Sequence, residues 1–281
     1  MTLLVGTSYI WYVVNWEERG NILTIDFLNI GQGDATYIQA PNGNSVLIDG
    51  SPGRILLSEL GKVTPFYKRS VNAIVVTNPD ADHYAGFIDL LGRYKVGELI
   101  EPGTFSPTGT YKIFEDLVAE KHVPKIIGRR GMKIILDSRK GIYLEILFPD
   151  QDVSTWTTNN GSIVAKLVYG KTAVMFEGDA PQATEKYLLA LDRLSGHASS
   201  TNLGADILKV GHHGSRTATA PEYVAALRPT YGIVSAGLNN TYGFPHKETV
   251  DTLNNYNVKM LVTFKLGTIE MKSDGQHVWQ K

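Results

Sequence analysis

From residue 21 onward the apolar positions follow two rhythms. Residues 22–29 alternate apolar and polar and predict a strand. Residues 36–40 and 45–49 flank Pro41-Asn42-Gly43-Asn44, which predicts a hairpin. Residues 73–77 form a short apolar run of the buried-strand type. Strands are further predicted over 123–127, 132–136 and 143–148. Residues 162–169 and 172–176 predict a second hairpin around Gly170-Lys171. Short strands follow at 207–210, 231–235 and 259–263, and the chain ends in one at 267–272. Spacing of three and four predicts helices over 87–94, 111–121, 182–194, 221–227 and 247–255. Residues 195–202 are small and polar and predict a surface loop.

The order is hairpins, then strand–helix units, then hairpins, then strand–helix units. Two similar halves of mixed sheet with outer helices predict an α/β fold, a four-layer αββα sandwich formed as one domain by residues 21–281. Residues 1–20 stand apart. Residues 2–16 carry no charge, are rich in Leu, Val, Ile, Tyr and Trp, and stop at Glu17-Glu18-Arg19. The stretch is short of the roughly 20 residues that a spanning helix needs, and it lacks a basic start and a small-residue cleavage site. Trp11, Tyr12 and Trp16 cluster at its far end as an interfacial belt does. The reading is an uncleaved membrane anchor, with a first element packed on the domain as the alternative.

Composition removes several functions. With no cysteine among 281 residues there is no disulfide, zinc–thiolate site or thiol nucleophile. The 27 basic and 28 acidic residues balance, so any nucleic-acid contact must come from a local patch. Arg129, Arg130 and Lys133 form the densest basic group.

The candidate chemistry gathers at four strand ends, where α/β sheets build their sites. After 73–77 come Asn78-Pro79-Asp80-Ala81-Asp82-His83. After 172–176 come Gly178-Asp179-Ala180. After 207–210 come Gly211-His212-His213-Gly214-Ser215, and a later loop ends in Phe244-Pro245-His246. An Asp at such a turn is commonly a helix cap, and a lone His is commonly a core residue. Four clusters together favour a divalent cation held by Asp82, His83, Asp179 and one of His212 and His213, with water as the nucleophile. His122, His197, His277, Glu185 and Asp192 have no such company and are assigned nothing.

On these residues the chain resembles the metallo-β-lactamase-fold superfamily, and more closely the C-terminal domain of ComEC-type DNA-uptake proteins. The resemblance rests on Asn29-Ile30-Gly31-Gln32-Gly33-Asp34-Ala35, Leu47-Ile48-Asp49-Gly50, the 78–83 cluster, Asn159-Asn160-Gly161-Ser162, Gly178-Asp179-Ala180, residues 209–215 and Pro245-His246. It implies an αββα sandwich with one or two metal ions, manganese or zinc, and hydrolysis of DNA or another phosphodiester outside the cytoplasmic membrane. It makes Asp80, Asp82, His83, Asp179, His212 and His213 candidate metal ligands, with Asp82 and His246 in the reaction. Asp34 and Asp49 would orient the ligand loop, and Asn160, Ser162, Lys209 and Ser215 would lie behind the ligands or near the phosphate. One position departs: the family usually opens the first cluster with His, where this chain has Asn78. As a ligand Asn78 is weak, so one tightly held ion is expected, a second would be manganese rather than zinc, and a non-catalytic binding domain is the alternative function. A small phosphoester is the alternative substrate, and β-lactam hydrolysis is least favoured.

Overall fold

Alternation along the strands sets the layers of the structure, a computed structural model that describes residues 20–194 and 203–281. The apolar stretch 2–16 and the loop 195–202 lie outside the described residues. The first sheet begins with β1 (Leu23–Phe27), β2 (Thr36–Gln39), β3 (Ser45–Ile48), β4 (Ser70–Val75), β5 (Lys95–Glu101) and β6 (Lys125–Ile127). The second holds β7 (Lys133–Asp137), β8 (Ile142–Phe148), β9 (Val164–Tyr169), β10 (Thr172–Phe176), β11 (Ile207–Lys209), β12 (Tyr231–Val234) and β13 (Lys259–Val262). β14 (Ile269–Ser273) and β15 (Val278–Gln280) return to the first sheet. The orders are β15-β14-β1-β2-β3-β4-β5-β6 and β13-β12-β11-β10-β9-β8-β7. Each sheet changes from antiparallel to parallel pairing midway, at β3–β4 in one and at β10–β11 in the other.

One set of alternate side chains from each sheet meets between the sheets. Ile25, Ile38, Ile48 and Val75 face Leu144, Leu167, Phe176 and Ile207 in this inner core. Phe27 and Phe176 stack across it, with ring centroids 6.2 Å apart. The opposite set of the first sheet, including Tyr37, Leu47 and Ile74, is covered by α1 (Ile55–Val63), α2 (Ala81–Tyr84), α3 (Gly86–Leu91) and α4 (Gly109–Glu120). Met175, Leu208 and Val234 of the second sheet are covered by α5 (Gln182–Leu194), α6 (Pro221–Leu227) and α7 (Lys247–Asn255), while the short α8 (Thr263–Leu266) follows β13. The result is the four-layer αββα sandwich.

Several elements differ from the pattern-based expectation. β4 runs 70–75 rather than 73–77, so Thr77 is released into the site loop. β5 was masked by its charges: Lys95 is exposed and Glu98 half-buried, whereas Glu101 is buried and paired with Lys125 (2.8 Å) and the Tyr111 hydroxyl (2.9 Å). α1 and β15 were not expected from the sequence. The helix expected over 87–94 starts earlier, as α2 and α3. Gly86 at their junction lies so close to the 49–53 loop that a Cβ would stand 2.0 Å from the Gly50 carbonyl oxygen. Glu185 is buried and accepts from the backbone amides of Thr219 (2.5 Å) and Ala220 (2.7 Å), holding the entry to α6.

Phe27→Ala is expected to remove about 3–5 kcal/mol of stability, because it empties the contact between the two sheets. Phe66→Ala, at a side chain 76% exposed, is expected to change stability by less than about 0.5 kcal/mol. Urea denaturation of the two variants checks the contrast.

Candidate metal centre

The loops that leave β4, β10 and β11 meet at one edge of the sandwich. α2 starts directly after the first of these loops and presents Asp82 and His83. Gly33 packs against that turn at φ +122°, and a Cβ there would stand 2.5 Å from the Asp82 carbonyl oxygen, so only glycine fits. The neighbouring Asp34 amide donates to the same carbonyl (3.2 Å). β10 delivers Asp179. β11 delivers His212 and His213, both in the left-handed region (φ 48° and 56°). Such strain costs about 1–3 kcal/mol per residue and persists only where the surroundings enforce it. Here the His212 amide donates to Gly178 O (2.9 Å) and the Ser215 amide to His212 O (2.8 Å).

The donor atoms converge. The ligand atoms of Asp82, His83 and His213 lie within 4.8 Å of one another. His83 Nε2 is 3.3 Å from Asp179 Oδ2 and 4.0 Å from Asp82 Oδ1. His213 Nε2 is 3.2 Å from Asp82 Oδ2 and 3.8 Å from Asp179 Oδ1. His212 Nε2 is 3.6 Å from Asp179 Oδ2. The first sheet thus supplies one imidazole and one carboxylate, and the second supplies a carboxylate and two imidazoles. Both members of the His212-His213 pair reach Asp179, and His213, buried and facing both carboxylates, is the more central.

Groups behind the imidazoles fix their orientation. Asp49 accepts from the Thr77 amide (2.8 Å) and hydroxyl (2.7 Å), and its Oδ2 is 3.0 Å from His83 Nδ1. An acceptor there keeps the Nδ1 proton and turns Nε2 toward Asp82 and Asp179. His213 Nδ1 meets the Ser235 carbonyl (3.1 Å) and Asp34 Oδ1 (3.3 Å), with the same effect. Asp34 is in turn paired with the buried Lys209 ammonium (2.8 Å). Asp34, Asp49 and His83 also cluster closely, but both carboxylates are already occupied by these bonds and act as braces.

Charge on this network is lopsided. Burial disfavours the cationic form of His213, yet the carboxylates of Asp34 and Asp179 outweigh it and lift its pKa to about 10. His83 is likewise raised well above its ordinary value, against its burial, by Asp179, Asp49 and Asp82. Burial would raise Asp82 and Asp179, but the facing imidazoles hold both below the usual carboxylate range. His83 Nε2 and Asp179 Oδ1 are buried without an aligned hydrogen-bond partner. Buried polar atoms are ordinarily satisfied, so two imidazole nitrogens and two carboxylates turned to one point fit a divalent cation such as zinc or manganese.

The other predicted residues are placed differently. Asp80 sits at the N-cap position of α2 without capping it, and its Oδ2 instead accepts from the Thr158 hydroxyl (3.0 Å). Burial raises its pKa, with Asp82 and Asp179 adding to the shift. Asn78 is fully buried, and both ends of its amide are engaged: Oδ1 accepts from the Asp80 amide (3.1 Å) and Nδ2 donates to Asn159 Oδ1 (2.7 Å). It braces the loop. Ser162 and Ser215 also serve their own turns, through Thr158 O (3.4 Å) and Thr217 Oγ1 (2.9 Å). Asn160 lines a neighbouring cleft. Lys209, considered as a possible neutraliser of phosphate charge, is committed to Asp34, and Arg216 pairs with Glu248 (3.3 Å). His246 packs edge-on against Phe244 (5.0 Å). The Arg216 amide can only donate, so His246 Nδ1 is the acceptor (3.0 Å) and the proton sits on Nε2, facing the Tyr242 carbonyl (3.1 Å). Thr158, Thr217 and the Ser235 carbonyl were not found from sequence, and Thr77 stood at the head of the first cluster without a role. Threonines and backbone carbonyls carry no local signal of such a role.

A profile described as the metallo-beta-lactamase superfamily matches residues 28–237. The chain is 29% identical over 266 residues to ComE operon protein 3 of Bacillus subtilis, a match covering 88% of this chain and 33% of that protein. It is 30% identical over 238 residues to Recombination protein 2 of Haemophilus influenzae, covering 83% and 26%. The chain therefore spans about a third or less of the length of these relatives. Among solved structures it is similar to Igni18, a metallo hydrolase from Ignicoccus hospitalis (TM-score 0.54, 14% identity, covering 88% of this chain and 98% of that one). It is also similar to a diphosphatase from the PhnP family (TM-score 0.52, 15% identity, covering 90% and 97%). These two likenesses concern the fold.

Two outcomes are expected. Asp49→Asn should weaken cation binding about 10–100-fold while His83 itself remains, the usual cost of losing such a brace; mass-spectrometric metal content after dialysis against graded chelator checks it. Because the surrounding carboxylates favour the protonated form of both imidazoles in the cation-free chain, cation uptake should release protons and tighten as pH rises. Calorimetry in two buffers of different ionisation enthalpy reads that release, and a buffer-independent heat would show that both imidazoles are already neutral before the cation arrives.

Proposed function

The chain belongs to the metallo-β-lactamase superfamily, and from that premise we propose that it is a cation-dependent phosphodiester hydrolase whose substrate is DNA. The observation that carries this reading is the convergence of His83, His213, Asp82 and Asp179 on one point, with their reverse sides already braced. Asp82, His83, Asp179 and His213 would hold a divalent cation there, which would supply Lewis acidity toward water and a phosphoryl oxygen.

The chain's own residues do the rest. Asp49 and Asp34 keep Nε2 of His83 and His213 turned inward, so the ligands need no reorganisation when the cation arrives. Asp82 is about one-third exposed and is the carboxylate of the set best able to meet solvent and hold a proton from the attacking water. His246, with its proton on Nε2, stands beside the site as the donor to the leaving oxygen. That donation requires release from the Tyr242 carbonyl. With Asn78 occupied in bracing and Asp80 held by Thr158, a second cation finds few free ligands, so we infer one tightly held ion.

The DNA part of the reading is supported by relatives named a recombination protein and a ComE operon protein. It also extends the anchor reading of residues 2–16, with the reaction outside the cytoplasmic membrane; among the described residues no helix is long and apolar enough to span one. Lys209 and Arg216 are both paired with acids, and this shortage of available cations beside the site favours a small phosphoester as the second reading.

The test is cleavage of a labelled single-stranded oligodeoxynucleotide by the purified chain in manganese or zinc, beside a small phosphodiester. Cleavage with about one bound ion per chain, reduced at least a thousandfold in His83→Ala, is the expected result. Turnover of the small diester alone would select the second reading. Metal uptake with no turnover of either substrate would overturn catalysis.

A further inference from the structure

A cleft opens beside the metal centre, between the loop 149–163 and α5. Its volume is 540 Å³, within the range of small-ligand sites, and Phe148, Trp156, Asn160, Pro181, Thr184 and Tyr187 line it together with Gln151 and Ala183. We propose that this cleft binds a nucleobase of a single-stranded substrate next to the scissile phosphate. The inference rests on the DNA reading above and adds where the base is held.

Three observations point to a base rather than to an aliphatic group. The walls are aromatic: Phe148 lies 6.2 Å from both the Trp156 and the Tyr187 ring, tilted 41° to the first and edge-on to the second. Trp156 and Tyr187 remain 37% and 39% exposed, a large apolar area to leave at the mouth of one cavity. Such faces stack on any base, which gives affinity without sequence preference. The Gln151 and Asn160 amides lie on the same lining, and each carries a donor and an acceptor that can meet a base edge.

The walls of the cleft are also tied through the chain to the metal centre. Pro181 stands two residues after Asp179 on the turn into α5. Asn160 follows Asn159, which accepts from the Asn78 amide (2.7 Å), and Thr158 in the same loop holds Asp80 (3.0 Å). One loop therefore braces the ligand cluster and forms the cleft wall. At the start of that loop the Arg130 amide donates to Pro149 O (2.7 Å). The Arg130 side chain is exposed there and can meet a flanking phosphate. Of the basic group read from sequence it is the member so placed. Arg129 donates to the Pro102 (2.7 Å) and Gly128 (2.8 Å) carbonyls, and Lys133 lies over the Tyr143 ring (4.2 Å).

Binding of a labelled ten-nucleotide oligodeoxyadenylate is compared with that of an abasic deoxyribose-phosphate oligomer of equal length. The full chain is used as purified, without added cation, with the oligomer checked intact after each titration. The expected result is about tenfold tighter binding of the base-bearing oligomer. Trp156→Ala should abolish that preference, Trp156→Tyr should retain most of it, and Phe66→Ala, on a different surface, should change nothing. Equal affinity for the two oligomers, or a preference that survives Trp156→Ala, overturns the base site and leaves the hydrolase reading standing. If neither oligomer binds, the base site fails, and the cleavage test in manganese or zinc decides the DNA reading separately.

Discussion

The pair between Lys209 and Asp34 is the contact on which the arrangement of the site depends. Lys209 ends a strand of the second sheet and Asp34 lies in a loop of the first, 175 residues away. Both are buried, and a buried charge without its partner costs several kcal/mol. Burial opposes the ionised form of Asp34, but Lys209 and then His213 outweigh it and hold its carboxyl far below the ordinary range. Asp34 also braces His213 through its side chain, and its backbone amide holds the Asp82 carbonyl. One charge pair thus links the sheets and sets a donor from each.

The site exists only when the sheets pack. The two closest approaches, His83 to Asp179 (3.3 Å) and His213 to Asp82 (3.2 Å), cross from one sheet to the other, whereas those within one half, such as His212 to Asp179 (3.6 Å) and His83 to Asp82 (4.0 Å), are longer. The inner core, with Phe27 on Phe176, holds the layers in register, and the loops at their shared edge inherit that register. The left-handed backbone at His212 and His213 and the tight approach of Gly33 to Asp82 show where that packing imposes strained or crowded geometry.

The departure at Asn78 acquires a structural meaning. Its amide spans from the Asp80 backbone to Asn159, so the first ligand loop is tied to the loop of β8–β9. That same loop pins Asp80 and walls the aromatic cleft. The ligand loop and the wall of the aromatic cleft are thereby held by one segment.

Much of this was legible in the sequence. The 3.6- and 2-residue periods located both hairpins, most parallel strands and α4 to α7, because those elements bury one face against the sheets and their residues must alternate accordingly. The clusters at 78–83, 178–180 and 211–215 named the segments whose Asp and His side chains converge in the structure, since such residues gather at strand ends where chemistry or capping needs them. β5 and the full extent of α2 and α3 stayed hidden, because the partners that allow Glu101 to be buried and Gly86 to pack closely are remote in sequence. Only the tertiary structure decided that Lys209 is a brace rather than a substrate contact, that Asn78 is turned to its own loop, and that Thr77, Thr158 and the Ser235 carbonyl complete the network. Those roles depend on distances between segments as far apart as 175 residues. A one-dimensional pattern specifies which face a residue takes, and the packing of the two sheets decides what it meets there.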